Sequence, residues 1–202
     1  MRRHEREVTD QALIAQVLDA AEWGTLGLVS KEGRPVLVPL NFLHLDGRIY
    51  FHGAPTGQKM ALLETAGEAT FLVVDAYSQV PSYAFHPEQA CPATQFFKSV
   101  LVSGRIVRVA DPQRKAQVLD ALMRKLQPEG GYRPITAEDP LYRASVEAVA
   151  VLELSADRVS AKFNLGQHLP AEKRASVTST LEGRGCPVDH RTLGAMTEFP
   201  AV

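Results

Sequence analysis

The chain is poor in cysteine: only Cys91 and Cys186 occur in 202 residues, far apart in sequence. That excludes a disulfide framework and a zinc-ligand pattern. It also lacks an excess of either charge. Lys plus Arg is 22, Asp plus Glu is 23, and the formal net charge is −1. A dedicated nucleic-acid binder carries a basic face, so a nucleic-acid partner is not expected. No window approaches the ~18 apolar residues of a membrane span. The segment Met1-Arg2-Arg3-His4-Glu5-Arg6-Glu7 is charged and has no apolar stretch, so neither a signal peptide nor a membrane location is expected, and the expected setting is the cytoplasm. There is no G-x-S-x-G, P-loop, H-E-x-x-H or C-x-x-C signature.

What is present is a normal apolar fraction of 45%, enough for a sizeable core in one domain. Thr9 or Asp10 offers an N-cap for an amphipathic helix carrying Leu13, Ile14, Val17, Leu18 and Ala21, with Gly24 beyond its end. Strands follow at residues 25–30 and 35–45, the second interrupted at Pro39, which suggests an edge or a bulge. Asp46-Gly47 is a two-residue hairpin signal, and residues 48–52 form the returning strand. A short helix is expected over 58–66, a strand over 69–77 and an irregular stretch over 78–93. Residues 95–109 alternate as a long strand, bent at Gly104. Asp111-Pro112 starts a helix, and Pro128-Glu129-Gly130-Gly131 follows its end. A helix over 137–143, strands over 146–154 and 159–165, a helix over 171–182 and a mobile tail over 185–202 complete the reading. Strand follows strand without regular helical crossovers. The expected class is therefore mainly β (α+β): a small antiparallel barrel with peripheral helices.

The most suggestive chemistry lies in His52-Gly53-Ala54-Pro55-Thr56-Gly57-Gln58-Lys59. A Gly-containing loop opens a helix there, which suits a phosphate, with Thr56 as hydroxyl donor and Lys59 as cation. The plainer reading is an ordinary strand-to-helix connection with a solvated lysine. His52 alone reads more readily as a hydrogen-bonded structural residue than as an acid, a base or a ligand. His44 and His52 lie on opposite arms of the hairpin without a carboxylate beside them, so no metal site is expected. Lys98 and Ser99 start the long strand on opposite faces. Read alone, Lys98 is an exposed lysine beside a core strand.

Taken in order, these segments resemble the pyridoxamine 5′-phosphate oxidase-like, FMN-binding split-barrel superfamily. Within it they are most similar to nitroimidazole-resistance (Nim) type proteins. The likeness runs through Leu26-Gly27-Leu28-Val29, Pro35-Val36-Leu37-Val38-Pro39-Leu40-Asn41-Phe42 and Asp46-Gly47-Arg48-Ile49-Tyr50-Phe51-His52-Gly53. It continues in Gly57-Gln58-Lys59-Met60-Ala61-Leu62-Leu63 and Phe97-Lys98-Ser99-Val100-Leu101-Val102-Ser103-Gly104. A second, shorter likeness, Lys162-Phe163-Asn164-Leu165-Gly166-Gln167 with Glu172-Lys173-Arg174, is to flavin-binding proteins described as negative transcriptional regulators.

The resemblance implies a six-stranded antiparallel split β-barrel over 1–165, with a helical arm and tail over 166–202. It implies a homodimer with flavin, FMN in the first place or FAD, at the protomer interface. Val36, Leu37, Val38 and Pro39 would line the flavin, followed by Tyr50, Phe51 and His52. Thr56 and Lys59 would meet its phosphate, and Lys98 and Ser99 would add polar contacts. His52 would stand at the active site. The implied activity is a flavin-dependent oxidoreductase acting on small molecules such as nitro-aromatic compounds. The alternatives are a flavin-binding sensor or transcriptional regulator, and a haem-binding split barrel with His52 as axial ligand. True pyridoxamine phosphate oxidases carry basic residues where this chain has Pro39-Leu40 and a basic pair where it has Gln58-Lys59. Their C-terminal arginine and histidine motif is not evident, so that activity is not expected.

Overall fold

A computed structural model describes residues 4–63 and 68–199. The elements are β1 (Glu7–Val8), α1 (Gln11–Ala20), β2 (Trp23–Val29), β3 (Pro35–Asn41), β4 (Leu43–Leu45), β5 (Arg48–Gly53), α2 (Gln58–Leu63) and β6 (Ala69–Val80). They continue with β7 (Thr94–Arg108), α3 (Pro112–Leu126), α4 (Arg143–Ala148), β8 (Ala150–Asn164), α5 (Ala171–Arg184) and α6 (Pro187–Glu198). One sheet runs in the order β3-β2-β6-β7-β8-β5-β4, and β1 pairs with β8. The pairs β1/β8, β2/β3, β2/β6, β4/β5 and β5/β8 are all antiparallel. Six strands have six residues or more; β1 has two and β4 has three. Mainly antiparallel β structure with helices outside the sheet is the expected α+β class.

The local signals explain where most elements begin. Asp10 Oδ1 accepts from the N–H of Ala12 at 2.8 Å, capping α1. Asp111 caps α3 by accepting from the N–H groups of Gln113 and Arg114, with Pro112 in the first turn. Asp46 and Gly47 both take positive φ, 53° and 72°, as a tight hairpin turn requires. Pro39 is accommodated because β3 ends the sheet order, and the break falls later, at Phe42.

Four expectations need correction. The helix read over 137–143 lies further on, as α4. The two strands read over 146–154 and 159–165 are one, β8: its exposed middle, Asp157 to Val159, is polar enough to imitate a turn. The strand read over 69–77 extends to Val80, so the irregular stretch is shorter and holds a 3-10 turn, Ser82–Ala84. The tail read over 185–202 contains α6. The short helix read over 58–66 is seen as α2, and residues 64–67 lie outside the described part.

The chain divides into two compact units. The first comprises residues 15–73 and 101–159. One of its apolar clusters joins Leu43, Tyr50 and Val151 to Val118 and Leu122 of α3. Burying each of these large side chains contributes roughly 1.5–3 kcal/mol relative to exposure. Lys125 closes α3, its ammonium 4.2 Å from the Phe42 ring centre and bonded to the carbonyls of Leu18 and Phe42.

The second unit comprises residues up to 14, 74–100 and from 160 onward. Val177 and Leu181 of α5 and Met196 of α6 pack with Val80, Phe96 and Leu165. Polar groups fix α6 as well. Asp189 is fully buried, and its carboxylate accepts from Arg184 Nε at 2.7 Å, from Cys186 Sγ at 2.9 Å and from the Ser78 hydroxyl. Thr192 Oγ1 accepts from the Ser78 N–H at 3.0 Å. Arg174 donates to the carbonyls of Leu165, Met196 and Phe199.

Candidate functional site

The first unit holds most of the expected site. β5 carries Tyr50, Phe51 and His52 in register with Glu153, Leu152 and Val151 of β8. Alternation, the hairpin turn and this pairing leave His52 exposed while its neighbour Phe51 is buried. Residues 54–57 turn the chain into α2, with Gly57 at φ 110°. Arg108 Nη2 ties this loop to β7 by donating to the Pro55 carbonyl at 3.0 Å. α2 has only six residues, so its dipole contributes little, and the case for an anion here rests on side chains.

Lys59 is the central cation. Its Nζ reaches back to the His52 carbonyl at 3.4 Å and lies 5.8 Å from the Phe51 ring centre. A Cβ at Gly53 would stand 2.5 Å from that Nζ, so glycine gives the ammonium its resting place. Partial burial lowers the Lys59 pKa from its ordinary value. The His52 pKa is also lowered, first by desolvation and then by the Lys59 charge. Both effects favour the uncharged imidazole. In an NMR titration His52 is expected to titrate below its ordinary 6.5. Lys59→Met should move that midpoint up only part of the way, because the larger cause remains; an unchanged midpoint would remove Lys59 as a cause.

Tyr50 and Phe51 have no exposed surface. The Tyr50 hydroxyl donates to Glu153 Oε2 at 2.8 Å and accepts from Arg114 Nη2 at 2.9 Å. Arg114 also pairs with Asp46 at 2.9 Å. Phe51 stacks on Phe71 at 6.5 Å. These contacts enclose both side chains, so neither presents an open face beside His52. His44, on the other arm of the hairpin, is bonded to Asp19 at 2.7 Å.

Val36, Leu37, Val38 and Pro39 lie on the edge strand β3, paired with Leu28, Gly27, Leu26 and Thr25 of β2. Their outer face is apolar and open: Leu37 is 71% exposed and Trp23, two rungs past Pro39 on the same face, is 60% exposed. Leu72, which pairs with Thr25, is exposed beside them.

Lys98 and Ser99 belong to the second unit. Lys98 corrects the plain reading of an exposed lysine. It is buried in the row of Phe96 and Val100, with its ammonium 5.1–5.6 Å from the ring centres of Tyr77, Phe163 and Phe199 and 3.5 Å from Glu198. Three aromatic faces and one carboxylate offset its desolvation. Ser99 Oγ donates to the Lys162 carbonyl at 3.3 Å. The sequence reading missed Arg108 and Arg114. Both alternate or cap as ordinary surface residues, and only the tertiary position of residues 46–55 gives them their partners.

The described geometry is an antiparallel α+β fold whose β5–α2 connection brings His52 and Lys59 together, beside an apolar edge strand, β3. The model of the family described as pyridoxamine 5′-phosphate oxidase matches residues 10–163. The chain belongs to that family, and its fold class is the split barrel. No curated protein matches it. Among solved structures it is similar to the flavocytochrome Anf3 from Azotobacter vinelandii, at 26% identity and TM-score 0.67, covering 81% of this chain and 72% of that one. It is similar to a FAD and heme binding protein from Mycobacterium smegmatis, at 21% identity and TM-score 0.65, covering 79% and 73%. It is also similar to a candidate 5-nitroimidazole antibiotic resistance protein from Bacteroides thetaiotaomicron, at 22% identity and TM-score 0.62, covering 77% and 85%. Among the described residues no helix is long and apolar enough to cross a membrane.

Proposed function

We propose that the protein binds FMN and uses it as an oxidoreductase toward small molecules such as nitro-aromatic compounds. The observation that carries this reading is the corner at the end of β5. There Lys59 rests on Gly53, Thr56 stands in the adjoining loop, and His52 is exposed beside them. This donor set fits a phosphate ester: an ammonium, a hydroxyl and loop N–H groups, with the loop held by Arg108. The open edge of β3 at Val36–Pro39 presents an apolar strip suited to a planar ring. When bound, the flavin supplies electron transfer between a reduced donor and the acceptor molecule.

The chain's own residues position and select. His52, whose desolvation and neighbouring Lys59 favour the uncharged ring, serves as an N–H donor to a substrate oxygen. The stacked pair Phe51 and Phe71 anchors the strand that carries it. The apolar outer face around Trp23, Leu37 and Leu72 is the surface on which a second copy docks, making a homodimer that covers the strand edge.

FMN and riboflavin titrations followed by flavin fluorescence test the site. FMN should bind about 10–100-fold more tightly than riboflavin, the range of one or two charge-assisted hydrogen bonds. Lys59→Ala should erase most of that difference. The FMN complex should sediment as a dimer. A protein that binds neither flavin would overturn the reading.

Haem is the second reading. It is favoured by His52, since an exposed neutral imidazole is the form that ligates iron. A Soret band that disappears in His52→Ala would select it over flavin bands.

A further inference from the structure

The second unit contains a cavity of about 380 Å³ that none of the expected site residues lines. It lies between the loop after the Ser82–Ala84 turn, the end of β8 and the start of α5. Its basic groups are Arg6 and Lys173, and no aspartate or glutamate occurs among its described lining residues. Glu5, outside the lining, comes within 4.0 Å of Arg6 Nε. Arg6 Nη2 donates to His168 Nε2 at 2.9 Å, which holds the guanidinium in place. His86 also faces the cavity. Its Nδ1 accepts from the N–H groups of Glu88 and Gln89, at 3.2 and 3.1 Å, so its ring proton sits on Nε2 as a further donor.

One group requires the opposite partner. Asn164 is 2% exposed and lines the cavity, and its Oδ1 has no hydrogen-bond partner among the described residues. Its Nδ2 donates to the Gln95 carbonyl at 2.7 Å. Flipping the amide would set oxygen against oxygen, so Oδ1 is the free atom. A buried acceptor left unpaired costs about 1–3 kcal/mol, so this atom calls for a specific partner, which a donor entering the cavity would supply. Phe85 and Phe96 add flat apolar walls.

We propose that this cavity binds a small aromatic carboxylate whose ring carries an N–H group. The carboxylate meets Arg6 and Lys173, the ring packs on Phe85 and Phe96, and the ring N–H donates to Asn164 Oδ1. Its volume is at the lower end of small-molecule pockets, which suits a compact ligand. The site is distinct from the corner at Lys59 and does not depend on flavin binding there.

Calorimetry with three probes tests it on the protein as purified and again with saturating FMN. Pyrrole-2-carboxylate has both features, furan-2-carboxylate lacks the N–H, and pyrrole-2-carboxamide lacks the charge. The first should bind, with the other two each about tenfold weaker or more. Lys173→Gln, a change at an exposed position, should weaken the carboxylate about threefold to tenfold and leave the carboxamide unchanged. Equal binding of the furan would overturn the assignment of Asn164, and equal binding of the carboxamide that of the cations. If added FMN abolishes probe binding, the cavity is part of the flavin site and the proposal of a separate site fails. No heat with any probe also overturns it.

Discussion

Gly104→Ala is expected to destabilise the protein by about 3 kcal/mol or more, the upper range for overpacking. A Cβ built on Gly104 of β7 would lie 1.8 Å from the Ser155 carbonyl oxygen of the neighbouring strand β8 and 3.0 Å from the Asp157 N–H nitrogen. Both are backbone atoms. No side chain can rotate away, so the two strands must separate and lose ladder hydrogen bonds. The measurement is the urea midpoint, together with soluble yield. Gly194→Ala is the control, because a Cβ there meets nothing within 4 Å and the position is helical. It should stabilise by roughly 0.5–1 kcal/mol. Equal midpoints for the two variants would show that β7 and β8 do not approach as described.

Asp189→Ala is expected to cost about 1–3 kcal/mol, the range for leaving buried donors unsatisfied, because the remaining Arg184 is 37% exposed and keeps access to water. Arg184 and Ser78 would lose their common acceptor, and Cys186 its hydrogen-bond partner. Arg184→Ala should be at least as costly, because it leaves a fully buried carboxylate without its strongest partner. The double variant should cost less than the two singles added together.

The pH dependence has a definite sign. Arg184 first, then Cys186 and Ser78, hold the Asp189 carboxyl well below its ordinary 3.8, against a desolvation that raises it. A depressed carboxylate contributes stability that is present above the unfolded-state value and lost as pH falls through the folded-state value. Hydrogen exchange of α6 should therefore remain slow at pH 4 and quicken only in stronger acid. In Arg184→Ala that onset should move to higher pH. An α6 that exchanges equally fast in both proteins at every pH would remove the pair as its anchor.

How much of this was written locally? The caps at Asp10 and Asp111, the Asp46-Gly47 turn and the alternation of β7 are signals contained within a few residues, and the elements formed where those signals stand. The site corner was legible for the same reason, since His52 and Lys59 are seven residues apart on one connection. Two kinds of feature were not legible. One is polar burial: α6 is fixed by Asp189 and Thr192, which look like surface residues until Ser78 is brought to them. Lys98 likewise looks solvated until Phe163 and Phe199 arrive from more than sixty residues away. The other is the cavity at Asn164, assembled from three separated stretches of chain, none of which carries a motif. The shift of α4 has a smaller cause: the expected span 137–143 contains Pro140, and the helix begins only after Tyr142.

The cage around Lys98 has a consequence for timing. Chains fold as they are synthesised, and units generally close once their last segment is available. Lys98 is made when half of the sequence is still to come, yet its carboxylate partner is Glu198 and one of its rings is Phe199. Until those residues leave the ribosome, the nascent chain carries a lysine bound for the interior with no counter-charge. The first unit contains no residue beyond 159, so all of its sequence is made before that of the second is complete. A chain stopped short of residue 198 would leave Lys98 without the carboxylate of Glu198 and the ring of Phe199.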